Sequence, residues 1–545
     1  MENATMLLRM LCMLFFTAST LFAQATSSWV YIGQDQHLRY TPDARGNRIM
    51  DFSYAGYHAG GVRLPVLPVL VTVSPSGGDD TARIQAAIDQ VSTLLPDSRG
   101  FRGAVLLNPA TYTVSSTLAI AASGVELRGS DSAKTVINMT GAPFLFLRIA
   151  GSGSAQTIGA SVAMTDSYVP SGTTSFNVAD ASSFKVGDTI LIRRPVTAAW
   201  IHFMGMDTLV RNGEPQTWIS AGSTITTDRS IAAINGNQIT VDVALTDNFD
   251  AQFLNPPGGT LAKYVFPGRI SEIGVENLTI IAHPINVDIT QPQFTGLSVG
   301  AAINVWARNI TFQDTQNTVT VSGNVKQMTL DSVNVQHTVQ HTGDGPADFA
   351  LSGTQILANK CSVTGKGNTW AAVTQSRVTG PVVLLNFFAD DRGFDPHQRW
   401  ATGLLCDNCN FPNSHTADKA GVAYSDRGIL GSGQGWDAGW GVAWNTSATT
   451  FLIQQPPGAN NFCIGCTGTV LTEAQPGSST PVPNGVYDSL GTQVAPASLY
   501  LGQLCERLGP SAAANIGYPA ACSQPVAKVT PSPRSTRGQT GDGLW

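Results

Sequence analysis

Short apolar segments recur along the second half of the chain, and turns rich in Gly, Asn and Asp separate them. Their shared pattern is x-Asn-x-apolar, as in GVENLTII (274–281) and VWARNITF (305–312). Aligning the copies places one set of residues at a common position, with steps of 28, 26, 22, 37 and 20 residues: Val333, Cys361, Phe387, Cys409, Thr446 and Cys466. A period of roughly 20–30 residues predicts a solenoid with three short parallel strands in each turn.

The first half of the chain has a different pattern. Ile84, Ala87, Ile88 and Val91 recur at helical spacing after Asp79 and Asp80, either of which can cap a helix. Alternating strand-like segments follow up to residue 159. Residues 160–262 read as antiparallel hairpins, with Asn235-Gly236 as a turn pair, and form a β-rich insertion.

These patterns predict seven regions. Residues 1–25 form a signal peptide, and residues 26–75 form an extended leader. The cap helix and first coils occupy 76–159, the insertion 160–262 and the main β-helix, with the active-site loops, 263–475. A C-terminal cap segment (476–524) and a Pro-, Ser-, Thr- and Gly-rich tail (525–545), predicted to be disordered, complete the chain.

The segment DDTARIQAAID, followed by GAVLLNPATYTVSSTLAI and GVELRG, resembles the start of a single-stranded right-handed parallel β-helix of the pectate-lyase superfamily. In that superfamily a short amphipathic helix covers the first open turn, where backbone groups would otherwise lack partners. The resemblance implies an all-β fold with an N-terminal cap helix. It also implies relatives among polysaccharide lyases and the family 28-like glycoside hydrolases.

The segment GSGQGW (431–436) resembles the Gly-His-Gly element of β-helical pectin hydrolases, but Gln434 stands where the histidine would be. This departure argues against the same hydrolytic machinery. Lyases of the superfamily often use Arg or Lys as the base, frequently with calcium, which the resemblance therefore implies as a possible cofactor.

The N-terminus predicts export. Arg9 precedes an apolar run that extends through Phe22, and the small residues Ala23 and Ala25 follow, which indicates cleavage after Ala25. We expect a secreted or periplasmic protein, monomeric and without a membrane anchor after cleavage. The formal net charge of -6 and the pI near 5.7 show no excess of basic residues, which argues against a nucleic-acid partner.

Removal of Cys12 with the signal peptide leaves seven cysteines. Cys505 and Cys522 flank a short C-terminal segment and are the predicted disulfide. The two CxxC pairs, at 406–409 and 463–466, have the spacing of a four-thiolate zinc site. Disulfides are a second interpretation in an exported chain, and a ladder of buried thiols inside the coil is a third.

The segment from Gly380 to Asn445 concentrates acids, a histidine, arginines and indoles in a chain with only 12% charged residues. A sugar-binding cleft needs apolar ring faces and a few aimed polar groups. Arginine is suited to a sugar carboxylate because its fork can bond both oxygens. The candidate catalytic residues are His397, Arg399, Asp395, Asp391, Arg427 and Lys366. The candidate substrate-binding residues are Trp400, Trp436, Trp440, His337 and His341.

The acidic group Asp390, Asp391 and Asp395 has two functional interpretations. The three carboxylates could hold calcium, or two of them could serve as general acid and base in glycoside hydrolysis. A third interpretation is a simple turn before Arg392-Gly393.

Three functions follow from this sequence. The first is an exported enzyme that cleaves a uronate-containing polysaccharide by β-elimination, with Arg399 or Arg427 neutralising the carboxylate and His397 or Lys366 as base. The second is an inverting glycoside hydrolase that uses paired aspartates. The third is a non-catalytic carbohydrate-binding or surface structural solenoid.

Overall fold

The computed structural model describes residues 25–340, 347–365, 370–413, 420–479 and 481–523. The predicted signal peptide apart from Ala25, and the predicted tail, lie outside these ranges. Most strands belong to long parallel sheets, in which each strand pairs with one that lies one coil further along the chain. This all-β pairing is consistent with the β-helix that the sequence predicts.

The strands stack in three rows. The first row contains Leu118–Ile120, Leu145–Ala150, Thr295–Gly300, Val319–Val321, Ala347–Leu351 and Trp370–Val373. The second row contains Val69–Val73, Gly103–Leu107, Val125–Gly129, Thr354–Asn359, Thr379–Leu385, Ala401–Asp407, Ala438–Gly439, Val442–Trp444, Phe462–Ile464 and Val486–Asp488. The third row contains Ala110–Val114, Thr135–Met139, Ser362–Gly365, Phe388–Ala389, Asn410–Phe411, Ser447–Ile453 and Thr467–Val470.

Three twelve-residue strands pass from the second row into the third: Ile270–Ile281, Ala302–Gln313 and Lys326–His337. The bends between the rows explain why the x-Asn-x-apolar pattern recurs in the sequence. Asn277, Asn309, Asn386, Asn408 and Asn445 lie at corners with φ between 46° and 60°, and Ser332 and Lys360 occupy the two equivalent corners between Asn309 and Asn386. Asparagine tolerates this left-handed conformation better than most residues.

The predicted alignment of the coils is confirmed by the strand register. Ser362, Phe388, Asn410, Ser447 and Thr467 are successive Cα partners in the third row. The residue before each of them is a member of the aligned set, from Cys361 to Cys466. Interior positions of the coils are filled by Val, Ile, Leu, Phe and Cys side chains that solvent hardly reaches.

The helix Thr81–Ser92 lies against the first coils and buries Ile84, Ala87, Ile88 and Val91, the apolar positions that the sequence indicates. The antiparallel sheet of the insertion has the order Gln156–Ala163, Thr260–Val265, Thr189–Pro195, Thr224–Asn235, Gln238–Val241 and Ser175–Asn177. Two helices accompany this sheet, Ala198–Phe203 and Ala251–Leu254.

The leader and the C-terminal segment complete a second hydrophobic core on the outer face of the second row. The leader contributes Val30–Ile32, Leu38–Tyr40 and the 3₁₀ turn Tyr57–Ala59, and its first strand Ala25–Thr26 pairs with Val494–Ala495. The C-terminal segment contributes the helices Leu499–Leu508 and Pro510–Asn515 and the turn Ala521–Ser523. Short antiparallel pairs form at Tyr168–Val169 with Phe249–Asp250 and at Val210–Arg211 with Glu214–Pro215. The strand Val422–Tyr424 pairs in parallel with the end of Ser447–Ile453. No helix in the described ranges has both the length and the apolar character that a bilayer crossing requires.

The cysteines follow two of the predicted patterns. Cys505 and Cys522 form the predicted disulfide, with Cα atoms 5.6 Å apart. Cys361, Cys406, Cys409, Cys463 and Cys466 are free and buried. The thiols of Cys409 and Cys466 donate to backbone carbonyls of neighbouring coils, and no zinc-type cluster forms among the described residues. The thiol ladder is therefore the interpretation that holds, and the zinc and CxxC-disulfide interpretations are wrong for this structure.

Candidate active site

The candidate site lies where the first row ends and the chain turns towards the second. Phe394 forms parallel bridges to Ala372 and Val422, so it extends the first row by one coil. The backbone N–H groups of Asp395 and His397 donate to the carbonyls of Ala372 and Thr374, at 3.0 and 2.9 Å. These bonds hold the predicted catalytic segment against the edge of the coil.

A long loop, residues 425–437, leaves the next coil and returns across this edge. It closes on itself through an antiparallel bridge between Asp426 and Trp436 and through a bond from the Asp437 N–H to the Ser425 carbonyl, 3.0 Å long. The loop brings Arg427 and Gln434 to the segment that carries Asp395 and His397.

Four side chains form a continuous hydrogen-bonded chain. Arg427 Nη1 lies 2.9 Å from Asp395 Oδ1 and 3.0 Å from Oδ2. Arg427 Nε donates to Gln434 Oε1 at 2.8 Å, and Gln434 Nε2 lies 3.0 Å from His397 Nε2. The sequence prediction that Asp395, His397 and Arg427 belong to one site agrees with this arrangement.

The chain determines the tautomer of His397. Arg427 Nε can only donate, so the oxygen of Gln434 must face it and the amide nitrogen must face the imidazole. His397 Nε2 therefore accepts a hydrogen bond from Gln434, and the ring proton lies on Nδ1. From there it donates to Gln375 Oε1 at 3.2 Å. The imidazole is neutral in this arrangement.

The electrostatics favour the same neutral form. Burial, followed by the positive charges of Arg427 and Arg399, lowers the pKa of His397 to about 4. Burial and the nearby Arg377 lower the pKa of Arg399 from its ordinary value. His397 is thus an unprotonated imidazole, at neutral pH, among arginines.

Arg399 is held in place by the long loop. Its Nη2 donates to the Ser432 carbonyl at 3.0 Å and to Ser432 Oγ at 2.7 Å, and its Nη1 donates to Gln398. Arg392 adds a further cation, because its guanidinium lies 4.1 Å from the centre of the Trp370 ring. The Arg427 guanidinium lies 5.3 Å from the centre of the same ring. Four arginines therefore belong to this part of the molecule. Arg399 and Arg427 act on His397 directly, Arg377 acts on Arg399, and Arg392 lies over the same Trp370 ring as Arg427.

Two further carboxyl groups belong to the long loop. Asp437 is fully buried and accepts bonds from the Ser425 N–H at 2.8 Å and the Ser425 hydroxyl at 3.1 Å. Burial, and then the charge of Asp395, raise the pKa of Asp437. Burial also raises the pKa of Asp426 to about 6.

The three tryptophans predicted as stacking platforms are largely buried in this structure. Trp400, Trp436 and Trp440 are only 1%, 4% and 5% exposed. The indole N–H groups of Trp400 and Trp440 both donate to Asp247 in the insertion. The rings of Trp400 and Trp440 pack the insertion against the coil and present no face to a sugar. Trp436 also donates its N–H inside the protein, to the Met204 carbonyl, but it borders a cleft beside Met204 and Met206.

Asp390, Asp391 and Asp395 do not form a shared metal site. Asp390 accepts a bond from the Gly365 N–H, while Asp395 is paired with Arg427. Within the described ranges no three His, Cys, Asp or Glu side chains are placed to hold a metal ion. The arrangement of three carboxylates around one ion, one of the three interpretations of these aspartates, does not form in the part of the chain that the structure describes.

His337 is buried inside the coil, where its Nε2 lies 2.9 Å from Asp348 Oδ2. Burial lowers the pKa of His337, but the Asp348 carboxylate has the opposite effect, and the net shift of the pKa is upward. The imidazole of His337 is thus paired with a buried carboxylate, and it borders a small pocket with Asp390, Asp391 and Arg392. His341 and Lys366 lie outside the described residues.

Sequence reasoning misses several members of the site. Gln375 and Trp370 come from the preceding coil, and Arg392 comes from the segment that carries His397. None of the three is among the site residues predicted from the sequence. The sequence marks Gln434 only as the replacement of a histidine, although this residue links Arg427 to His397. No sequence pattern marks Asp426, which precedes Arg427, because its raised pKa results from burial in the folded protein.

Neither the known protein-family models nor the curated proteins include a match to this chain. Among solved structures it is similar to the tailspike protein gp49 of Pseudomonas phage LKA1, with 13% identity and a TM-score of 0.34 over 72% of this chain and 64% of that one. The tailspike Gp54 of Acinetobacter baumannii bacteriophage AP22, solved with a capsular saccharide, has 12% identity and a TM-score of 0.26, over 77% of this chain and 73% of that one.

The A-module of the mannuronan C-5 epimerase AlgE6 from Azotobacter vinelandii has 11% identity and a TM-score of 0.21, over 82% of this chain and 99% of that one. The match to the LKA1 tailspike covers just under two thirds of that protein's length. Similarities of this size do not identify an activity.

Proposed function

We propose that this protein is an exported carbohydrate-active enzyme that cleaves a uronate-containing polysaccharide by β-elimination. We propose with it that the stacked rows form a right-handed parallel β-helix, which displays the site on an edge of the coil. The observation that carries the proposal is a neutral imidazole, His397, that accepts a hydrogen bond from Gln434 and lies within reach of the charges of Arg399 and Arg427. Arg377 lies near Arg399, and Arg392 lies over the same Trp370 ring as Arg427.

A cationic patch of this kind favours an acidic ligand. Guanidinium groups bond carboxylates through both oxygens, and a partly buried site strengthens the attraction. Arg399 is the best-placed group to neutralise a uronate carboxylate, because Ser432 holds its guanidinium beside the imidazole. Neutralising the carboxylate makes the proton on the neighbouring ring carbon more acidic, which is the first requirement of elimination.

His397 is assigned as the base. It takes the proton from the carbon next to the carboxylate, a carbon–carbon double bond forms, and the glycosidic carbon–oxygen bond breaks. The imidazolium of His397 then returns its proton, directly or through a water molecule, to the leaving oxygen, so the neutral base is regenerated and charge and atoms balance. In the free protein Gln434 occupies the Nε2 lone pair, so the substrate must displace this hydrogen bond before the proton moves.

Substrate binding would strengthen this base. Two arginine charges contribute to the low pKa of His397. A uronate carboxylate placed among the same arginines offsets those charges, so the pKa of the imidazole rises in the complex. The imidazole would then be a better proton acceptor only when an acidic sugar is bound.

A screen of purified residues 26–545 against acidic and neutral polysaccharides tests the proposal. Ultraviolet absorbance and reducing ends are measured together. Both signals should rise on a uronate polymer, because elimination leaves an unsaturated sugar. Reducing ends without absorbance would contradict elimination, and binding without either signal would favour a non-catalytic carbohydrate-binding solenoid. Repeating the screen after chelation, with and without added calcium, tests the calcium that the resemblance implies.

Inverting glycoside hydrolysis is the second candidate, and one observation favours it. Asp395 is paired with Arg427, while its neighbour Asp437 has a pKa raised by burial and by the charge of Asp395. Carboxyl groups with divergent environments are typical of acid and base pairs in glycosidases. In this case Asp395 would activate water, and its replacement by Asn should abolish reducing ends, whereas elimination would tolerate that change better.

A further inference from the structure

A second cleft lies on the opposite side of the long loop. It has a volume of about 400 Å³, within the range of small-molecule sites, which is about 300–1,000 Å³. Four parts of the chain form its walls: the segment after helix Ala198–Phe203, the long loop, the loop around residue 457, and residues 475 and 481–483. It lies outside the arginine patch, because neither His397 nor any of the four arginines lines it.

Asp426 links the two sites. It precedes Arg427 in the sequence, but Arg427 bonds Asp395 while Asp426 lines the cleft. Asp426 is only 6% exposed, and its Oδ1 accepts a bond from the Gly428 N–H at 2.8 Å. Gln475 also bonds this carboxyl. The loop therefore offers a cation to one side and a carboxyl group to the other.

Among the described residues that line the cleft, Asp426 is the only charged one. The remaining polar side chains are two amides, Gln455 and Gln475, and the apolar lining is Met204, Met206, Trp436, Pro456, Pro457, Pro481, Val482 and Pro483. No lysine, arginine or histidine is among these described lining residues. An acidic ligand would meet an acidic side chain here without a cation to neutralise it, so the chemistry excludes a second uronate site.

We propose that this cleft binds a neutral pyranose unit of the polysaccharide. The ring C–H faces would contact the proline and methionine side chains, while Asp426, Gln455 and Gln475 would bond the hydroxyl groups. A carboxylate and two amides supply the acceptors and donors that vicinal hydroxyls require. The inference rests on the proposed function and narrows its substrate to a polymer that contains both acidic and neutral sugars.

The protonation state of Asp426 fits this role. Burial raises its pKa to about 6, so the carboxylate form prevails at neutral pH. A carboxylate accepts bonds only and has about four lone-pair positions, which leaves acceptor capacity beyond the bonds from Gly428 and Gln475.

Saturation-transfer NMR with matched monosaccharides tests the proposal. The neutral probes are the methyl pyranosides of glucose, galactose and mannose, and the acidic probe is methyl glucuronide. At least one neutral probe should give a signal that falls at least fivefold in Asp426→Asn and Gln475→Ala, and remains in Arg399→Gln. The glucuronide signal should show the reverse dependence. Circular dichroism and thermal unfolding confirm that each variant is folded.

Three results would overturn the inference: no signal from any neutral probe, a neutral signal that survives both Asp426→Asn and Gln475→Ala, or a neutral signal that Arg399→Gln removes. The two proposals fail separately. Cleavage of a uronate polymer without any binding of neutral sugars would refute only the proposed role of the cleft. Neutral-sugar binding that depends on Asp426, without any elimination product, would refute only the proposed lyase activity.

Discussion

Gln434 Nε2 lies 3.0 Å from His397 Nε2, although 37 residues separate the two in the sequence. The amide is oriented by Arg427, which bonds its oxygen, so the contact places the imidazole proton on Nδ1. One glutamine thus sets the tautomer of the proposed base and couples it to the Asp395–Arg427 pair. The residue stands where a resembled hydrolase family has histidine, and here it serves a different purpose.

Replacing Arg399 should remove activity without unfolding the protein. In Arg399→Gln the uronate carboxylate loses its neutralising partner, and we expect kcat/KM on the uronate polymer to fall about 10²–10³-fold. The thermal midpoint should change little, because a partly exposed loop residue has few core contacts. Arg83→Gln, on the exposed face of the cap helix, is the matched control. Wild-type turnover in Arg399→Gln would refute its role.

His397 should titrate far below an ordinary histidine. Burial and two arginines lower its pKa to about 4, so histidine-labelled protein observed by NMR should show one imidazole with a midpoint near that pH. Arg399→Gln removes one cause of the shift and should raise the midpoint, while His397→Gln identifies the resonance by its loss. Activity that requires the neutral base should fall as pH decreases through the same midpoint in kcat/KM. A midpoint near the ordinary histidine value of about 6.5 would contradict the proposed environment.

Asp407 should make the protein less stable as pH rises. It is fully buried, and its Oδ2 accepts bonds from the Ser498 hydroxyl and the Tyr500 N–H, both 2.7 Å long, at the start of helix Leu499–Leu508. Burial raises its pKa from 3.8 to about 7. The folded state therefore holds the proton more tightly than the unfolded state, and stability decreases between about pH 4 and pH 7.

A shift of this size corresponds to on the order of 4 kcal/mol at about 1.36 kcal/mol per pKa unit. Asp407→Asn cannot ionise and should flatten the dependence of the unfolding free energy on pH, as measured by denaturant titration. Asp89→Asn, on the exposed face of the cap helix, should keep the wild-type dependence. An unchanged slope in Asp407→Asn would show that other groups cause the effect.

The five buried thiols should be free and inert in the folded protein. Cys361, Cys406, Cys409, Cys463 and Cys466 should react with a thiol reagent only after denaturation, in five equivalents for residues 26–545. Cys409→Val should cost less than about 1.5 kcal/mol, because a similar volume still fills the ladder. Stoichiometric zinc, or fewer than five reactive thiols, would restore one of the rejected interpretations.

Periodic packing is the part of this protein that the sequence determined. The recurring x-Asn-x-apolar pattern predicted the stacking because each coil repeats the same local demands: an apolar interior position and a left-handed corner that asparagine tolerates. The alignment from Val333 to Cys466 and the helix at Ile84–Val91 followed from the same local rules. The Cys505–Cys522 disulfide was likewise predictable, since its two cysteines flank one short segment.

The tertiary structure decided which side chains meet and which are buried. Asp395 and Arg427 lie 32 residues apart, and only the path of the long loop brings them together. Trp400, Trp436 and Trp440 resemble sugar platforms in the sequence, but the insertion covers them, and no local pattern reveals what a distant segment buries. Site chemistry depends on such long-range contacts, whereas coil stacking depends on neighbours at a fixed period, and this physical difference separates what the sequence could predict from what it could not.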